Sequence, residues 1–267
     1  MDTENPKTTE GLQVQSYFVR ERNALLTRAD FGDLYVDYYL HQGQYGYQHS
    51  PAHDGLLKEA LAALTLHCAS RPWNEAWAWT IHFDQPLLNL FVTGDNRRGI
   101  IVGQIFTENV KKDGRNLFCA DVLREGAESR RSTVEFTSPG PFRIVEEYYG
   151  QSEQRPARYF HFGPEEFVMI SAQPGCDLSW FQSLTDEEVQ TLDERETLSL
   201  LEERAYRWGC GCSQDRMFSI LAPLMRTDPQ ELFGDEALLR ISCPRCGALH
   251  TVTRESLEAY VAEGGPP

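Results

Sequence analysis

The chain has 267 residues, with 25 basic and 40 acidic side chains, a net charge of −15 and 41% hydrophobic residues. That length and apolar content suffice for one large domain plus a small one. The acidity argues against a nucleic-acid partner, because phosphate contacts need clustered Lys and Arg, and equally against an anionic membrane surface. The basic pairs Arg97-Arg98, Lys111-Lys112 and Arg130-Arg131 are too scattered to form a stripe. No apolar run is long enough to span a bilayer, and Met1-Asp2-Thr3-Glu4-Asn5 is polar and acidic, unlike a secretory signal. Seven cysteines, four of them in short-range pairs, point to a reducing compartment, by default the cytoplasm.

Residues 1–13 are polar and expected to fray. Tyr17-Phe18-Val19 and Ala24-Leu25-Leu26-Thr27, split by a charged segment, predict a strand pair or one bent strand. Beyond Tyr35 to Leu40, the stretch from His41 to His53 has neither helical nor strand period and reads as a long loop. Its histidines, His41, His49 and His53, have no carboxylate or cysteine at ligand spacing, so they read as solvated loop residues rather than a second metal site. Leu56, Leu57, Ala60, Leu61 and Leu64 then mark one face of a helix ending near His67. Cys68 has no cation beside it and reads as a small core residue.

Strands are expected at 77–83, 87–92 and 100–106, with turns at Asp84-Gln85-Pro86 and Thr93-Gly94-Asp95-Asn96. Further strands are expected at 133–137, 158–162 and 167–172, and a short helix from Pro141 to Gly150 with Phe142, Val145 and Tyr149 inward. Short strands with short connections imply an antiparallel meander. The fold class is therefore α+β, with an N-terminal antiparallel-sheet domain and segregated helices over residues 1–180. Thr185-Asp186-Glu187-Glu188 is a capping box, and the acidic run to Arg207 is thinly apolar, with Val189, Leu192, Leu198 and Leu201 among its apolar positions. It predicts a helical linker over 181–208, held by docking rather than by its own propensity.

The remaining residues, 209–267, predict a small C-terminal domain. Met217, Ile220, Leu221, Leu224 and Met225 fall at helical spacing, although Pro223 should kink or divide that helix. Asp228-Pro229 fits an N-cap followed by proline at the first helical position. Residues 238–241 and 249–252 predict a hairpin, and 254–261 a last helix. Within this domain Cys210-Gly211-Cys212 and Cys243-Pro244-Arg245-Cys246 are separated by the thirty residues Ser213 to Ser242. Two short-range thiol pairs suit one tetrahedral zinc, each supplying two corners. Four cysteines close a zinc site, whereas a catalytic zinc keeps an open position. No thioredoxin-like unit and no Gly-Lys-Ser/Thr phosphate loop is readable, so neither an enzyme nor a nucleotide cycle is implied.

Cys-Gly-Cys-Ser213, with Arg216 in place, the thirty-residue interval and Cys-Pro-Arg-Cys-Gly247 resemble the redox-regulated thirty-three-kilodalton heat-shock chaperonin family. Asp84 to Gly94 looks like that family's strand and turn, and Glu147 to Ala157, with Tyr148-Tyr149 and Ser152-Glu153-Gln154, is similar to its Tyr-Phe-x-x-Ser-Glu-Gln-x-Pro-Thr segment. The resemblance runs from about Tyr17 to Tyr260. It implies an N-terminal domain that binds unfolding client proteins and forms a homodimer, a metastable linker, and one zinc per chain on reduced Cys210, Cys212, Cys243 and Cys246. It further implies that oxidants join Cys210 to Cys212 and Cys243 to Cys246 as disulfides, that zinc leaves, and that the linker unfolds to expose apolar surface. The implied activity is that of an ATP-independent holdase chaperone. The chain departs from the family in a short linker between Leu201 and Cys210, without the usual apolar segment ending in Pro-Val-Arg-Phe, and in Phe83 where glycine normally precedes the turn. A zinc-ribbon adaptor with a purely structural zinc is the alternative.

Overall fold

The computed structural model describes residues 11–264, so the polar stretch expected at residues 1–13 lies outside the described residues up to residue 10. The chain divides into two compact units. Met1–Leu40 and His49–Gly209 form the larger, and His41–Gln48 with Cys210–Pro267 the smaller.

In the larger unit β1 (Leu12–Val19) turns through Arg20–Arg22 into β2 (Ala24–Asp30), and the two pair antiparallel. Helix α1 (Gly32–Tyr45) follows, its apolar face made by Leu34, Tyr35 and Tyr38. The long loop expected from His41 is thus shorter: residues 41–45 continue the helix, and glycines at 43 and 46 concealed its period. Helix α2 (Pro51–Ala69) begins at Ser50, whose side chain accepts the His53 N–H at 3.3 Å, with Pro51 in the first turn where its missing N–H costs nothing. Every residue from Ala60 to Ala69 is buried, so α2 forms the centre of the core rather than a surface helix with one wet face.

The strands β3 (Glu75–Phe83), β4 (Leu88–Asp95), β5 (Ile100–Phe106), β6 (Leu117–Arg124) and β7 (Arg130–Glu135) include one, β6, that the apolar pattern did not predict. Thr93 to Asp95 belong to β4, and the turn lies at residues 96–99. Gly94 is needed in the strand because helix α2 crosses there: a Cβ would stand 2.7 Å from Cys68 Sγ and 2.8 Å from Ile101 Cδ1. Helix α3 (Pro141–Tyr148) buries Phe142 and Val145 as expected, and Tyr149 opens a π-helical turn over Tyr149–Glu153. Strands β8 (Ala157–Phe162) and β9 (Glu166–Ala172) form the hairpin that completes this part.

The segment after Trp180 departs from the reading as one acidic helix. It contains α4 (Leu178–Ser183), α5 (Asp186–Gln190) and α6 (Leu192–Arg195), and Thr185 and Glu188 cap α5 reciprocally. Residues Leu198–Trp208 are not helical. They form β10, an eleven-residue strand paired antiparallel with β1 from Val19–Leu198 to Leu12–Tyr206. Its inward positions alternate as Arg204 and Tyr206, both buried, and the arginine in a core slot hid the strand period. The sheet order is β7-β6-β3-β4-β5-β10-β1-β2-β9-β8. Two antiparallel halves therefore meet at β10, whose Arg207 and Trp208 pair parallel with Ile100 and Ile101 of β5. The sheet is thus antiparallel everywhere except at this junction. No helix among the described residues is long and apolar enough to cross a membrane.

The Tyr148 to Glu153 motif has a structural role in this core. Arg71 Nη2 donates to Glu153 Oε2 at 2.6 Å and Tyr148 O–H donates to Glu153 Oε1 at 2.9 Å, with only 12% and 11% of the Arg71 and Glu153 side chains exposed. Burial pushes the Glu153 carboxyl up, but the Arg71 charge and the hydrogen bonds from Arg71 and Tyr148 outweigh it and hold it below the ordinary carboxylate value. Removing one partner of a buried pair strands the other, so Glu153→Ala should cost about 3–5 kcal/mol in urea unfolding. Because the folded value is depressed, the contribution is complete above the unfolded carboxyl value and is lost as pH falls through the folded one. Wild type should therefore lose stability on acidification more steeply than Glu153→Ala.

Candidate metal centre

The smaller unit assembles its site from two turns. Cys210 and Cys212 lie on the turn into α7 (Gln214–Thr227), whose first turn is capped by Ser213 accepting the Arg216 N–H at 3.2 Å. Between them Gly211 adopts φ +68°, a left-handed backbone that lets both thiols face inward. Cys243 and Cys246 occupy the turn of the expected hairpin, β11 (Leu238–Ser242) and β12 (Leu249–Thr253). Gly247 N–H donates to Cys243 O at 2.9 Å and Cys243 N–H donates to Ala248 O at 2.8 Å, closing the knuckle with Gly247 at φ +74°.

These turns bring all four Sγ atoms within 4.8 Å of one another, with Cys210–Cys243 and Cys212–Cys246 at 3.5 Å. Among the described residues this is the one group of three or more Cys, His, Asp or Glu side chains so placed. Four sulfurs around a tetrahedral ion at about 2.3 Å would stand about 3.8 Å apart, which falls inside the observed spread. The four cysteines can therefore hold one metal ion. Cys68, by contrast, is fully buried in the larger unit with its thiol pushed far up by burial, the core role expected of it.

Without a cation the four thiols compete for negative charge. Cys243 is the favoured thiolate, held far below the ordinary thiol value by hydrogen bonds from Cys210 and Cys246 and by the backbone amides of Arg245 and Cys246. Cys246 is pushed up because its thiol is the donor to Cys210 and Cys243, and burial adds to this. Cys212 is pushed up to about 12, first by burial and then by the Cys210 charge beside it. Negative charge on one sulfur disfavours charge on its neighbours, and a divalent cation is the simplest group that would stabilise four thiolates together.

The carbonyls of both turns are also held. Arg245 Nη1 donates to Cys210 O at 3.0 Å, tying the second pair to the first. Tyr47 O–H donates to Cys246 O at 2.7 Å, and His41 Nε2 stands 3.0 Å from the same oxygen. His41 is thus a partner of the cysteine knuckle and not the solvated loop residue that its sequence suggested. Tyr47 and Arg245 were not singled out by sequence, and no ligand spacing announces a backbone-carbonyl partner. The supporting core is Met217, Phe218, Met225, Phe233, Val252 and Leu257, with Cys212 packed against it. Ile220 and Leu224, expected inward, are 59% and 49% exposed. Pro223 does not divide α7; the packing of Met217, Phe218 and Met225 carries the helix past it. Asp228 caps α8 (Pro229–Phe233) as expected, accepting the Glu231 N–H at 2.8 Å, and α9 (Arg254–Ala262) closes the unit.

Comparison with known proteins agrees with this geometry. The model of the Hsp33 protein family matches residues 170–253, a span that includes all four cysteines. The 33 kDa chaperonin of Edwardsiella ictaluri is 25% identical over 79% of this chain and 83% of its own length. That of Mannheimia succiniciproducens is 23% identical over 79% and 83%. The crystal structure of the 33 kDa chaperonin (heat shock protein 33 homolog) of Thermotoga maritima superposes with a TM-score of 0.72 at 13% identity, covering 96% of this chain and 99% of that one. At that identity the superposition speaks for the fold.

If the four thiols staple the smaller unit, Cys246→Ser should lower bound metal, measured by atomic emission on purified protein. It should also abolish amide protection in α7, β11, β12 and α9, while hydrogen exchange in β1 to β10 remains as in wild type. Unchanged protection in the smaller unit would show that its apolar core suffices without the staple.

Proposed function

This chain belongs to the 33 kDa chaperonin family as a divergent member, and from that premise we propose a redox-switched holdase that binds unfolding proteins without nucleotide. The observation that carries the reading is the convergence of four thiols, beginning two residues after strand β10 ends. A bound zinc ion would keep Cys210, Cys212, Cys243 and Cys246 as thiolates and fasten the hairpin to the turn that precedes α7. In the resting state the protein's own contribution is orientation: Gly211, Gly247, Arg245, Tyr47 and His41 fix the two turns.

Activation is an oxidation of the chain's own sulfurs. Cys210 with Cys212, and Cys243 with Cys246, each give two electrons to one peroxide molecule. One S–S bond forms per pair, the O–O bond breaks, and the peroxide with two protons from solvent leaves as two water molecules per pair. Disulfides no longer offer four thiolates to one ion, so the staple is lost. The smaller unit has few buried apolar side chains to replace it, and its unfolding frees the chain leading back into β10. Apolar surface exposed in this way would bind non-native chains by burying area. We place the protein in the cytoplasm, acting as a homodimer on unfolded or misfolded clients, with one zinc per chain and no enzymatic turnover.

One observation favours the second reading, an adaptor whose zinc is purely structural. Strand β10 is paired along its length with β1 and joins the two halves of the sheet, an arrangement costly to dismantle. The two readings separate in an aggregation assay with a thermally unfolding client. The holdase reading expects reduced, zinc-loaded protein to be inert. Peroxide at mildly raised temperature should release one zinc per chain and suppress light scattering at near-stoichiometric protein. Zinc release with undiminished aggregation would leave the adaptor.

A further inference from the structure

We infer that His41 and Tyr47 are positioning residues of the metal centre, and that the segment His41–Gln48 is released together with it. The inference rests on the metal-centre reading above. It begins with an oddity of topology: these residues precede the nearest cysteine of the cluster by more than a hundred and fifty positions, yet pack as part of the smaller unit. His41 and Tyr47 meet at one atom, the carbonyl oxygen of Cys246, at 3.0 and 2.7 Å.

A carbonyl oxygen has two lone pairs, so two donors fill its capacity. The contact requires His41 in the tautomer that carries its proton on Nε2. Aromatic packing accompanies the hydrogen bonds: the His41 ring lies 4.8 Å from Tyr45 and 6.2 Å from Tyr47, and Tyr45 lies 6.3 Å from His250 of β12. Cys246 has no exposed surface, so a carbonyl left without either donor would be an unpaired polar group in the interior.

The direction of that carbonyl is set by the knuckle itself. Gly247, at φ +74°, follows Cys246 and returns its N–H to Cys243 O. A disulfide between Cys243 and Cys246, or loss of an ion that spaces their sulfurs, would shift the Cys246 Cα and with it the Cys246–Gly247 peptide that carries this carbonyl. Both hydrogen bonds to the Cys246 carbonyl then fail together, because they share one acceptor. Residues 41–45 are the last turn of α1, so the event reaches a helix distant in sequence from the strand that precedes Cys210. Metal loss is thereby transmitted along two chain segments rather than one.

The test uses the full chain and Zn²⁺, with affinity read by competition against a chromophoric chelator. Tyr47→Phe keeps the ring and removes the donor, and should weaken zinc binding roughly tenfold, the low end for outer partners of metal ligands. His41→Ala should act in the same direction. The double variant should lose more than the product of the two, because the carbonyl is then left unpaired. Tyr39→Phe, which removes a hydrogen bond to Asp54 in the larger unit, should leave zinc affinity unchanged. In wild type, chelation of zinc should speed hydrogen exchange of residues 41–48 and leave residues 157–172 as they were. Variant affinities within twofold of wild type, or equal exchange at 41–48 with and without zinc, would overturn the inference. Failure of wild type to bind zinc at all would instead remove the metal-centre reading beneath it.

Discussion

Four sulfur atoms within 4.8 Å of one another are the constraint on which the smaller unit depends. Its buried apolar side chains are few, centred on Met217, Phe218, Met225, Phe233, Val252 and Leu257. A unit of that size is marginal, because the area it buries only narrowly offsets the ordering of its chain. Structural zinc in small domains supplies about 10–16 kcal/mol of apparent binding free energy, the same order as the stability of an ordinary domain. The turns at Gly211 and Gly247 therefore carry more than local conformation. They place the four donors through which a bound ion would tie α7, the hairpin and α9 together beyond their shared apolar core.

The larger unit depends on a different device, a polar strand in the middle of a sheet. Arg204 of β10 is buried, donating from Nη1 to Cys68 O at 3.1 Å and from Nη2 to Glu202 at 2.6 Å, with its guanidinium 4.3 Å from the Trp73 ring. Tyr206 O–H donates to Asn96 Oδ1 at 2.9 Å, and Asn96 Nδ2 donates to Cys68 O and Pro72 O, each at 2.9 Å. Position 96 looks like an ordinary turn asparagine, yet it links β10 to the end of α2. Leu201, one of the apolar positions expected to dock this segment, is instead 56% exposed, and its neighbour Leu200 is 53% exposed. Backbone pairing and a charge-assisted network hold β10 where an apolar face would hold most central strands.

These two devices explain what could be read from the sequence. Trp77 to Phe83 was legible because its aromatic and β-branched residues alternate with period two, and Ile100 to Phe106 because it is a short β-branched apolar run between turn signals. The cysteine turns were legible because metal ligation demands short-range pairs with glycine beside them. Strand β10 was not, since Arg204 occupies a core slot and the acidic residues around it mimic a helix. Helix α1 ran five residues further than its apolar pattern, because His41 to Tyr45 belong to the smaller unit and serve a carbonyl. The role of His41 has no signature at all in one dimension: its partner is a backbone oxygen two hundred and five residues away.

The placement of β10 also bears on how loss of the four-thiol staple would propagate. A metal ion held by the four thiols would support the smaller unit. Strand β10 belongs to the larger unit, where its ladder with β1 and the Arg204 network stand independently of any sulfur. Losing that ion would remove support immediately after Gly209 while leaving those hydrogen bonds in place, so release of β10 would need a second input. Heat supplies one, because it raises the weight of conformational entropy against a strand with only two buried side chains, Arg204 and Tyr206. Departure of β10 would uncover the edges of β1 and β5, rows of unpaired N–H and C=O groups of the kind that template extended chains. If the proposed switch operates, a linker segment incorporated into the sheet as β10 favours two requirements, oxidation and warmth, over oxidation alone.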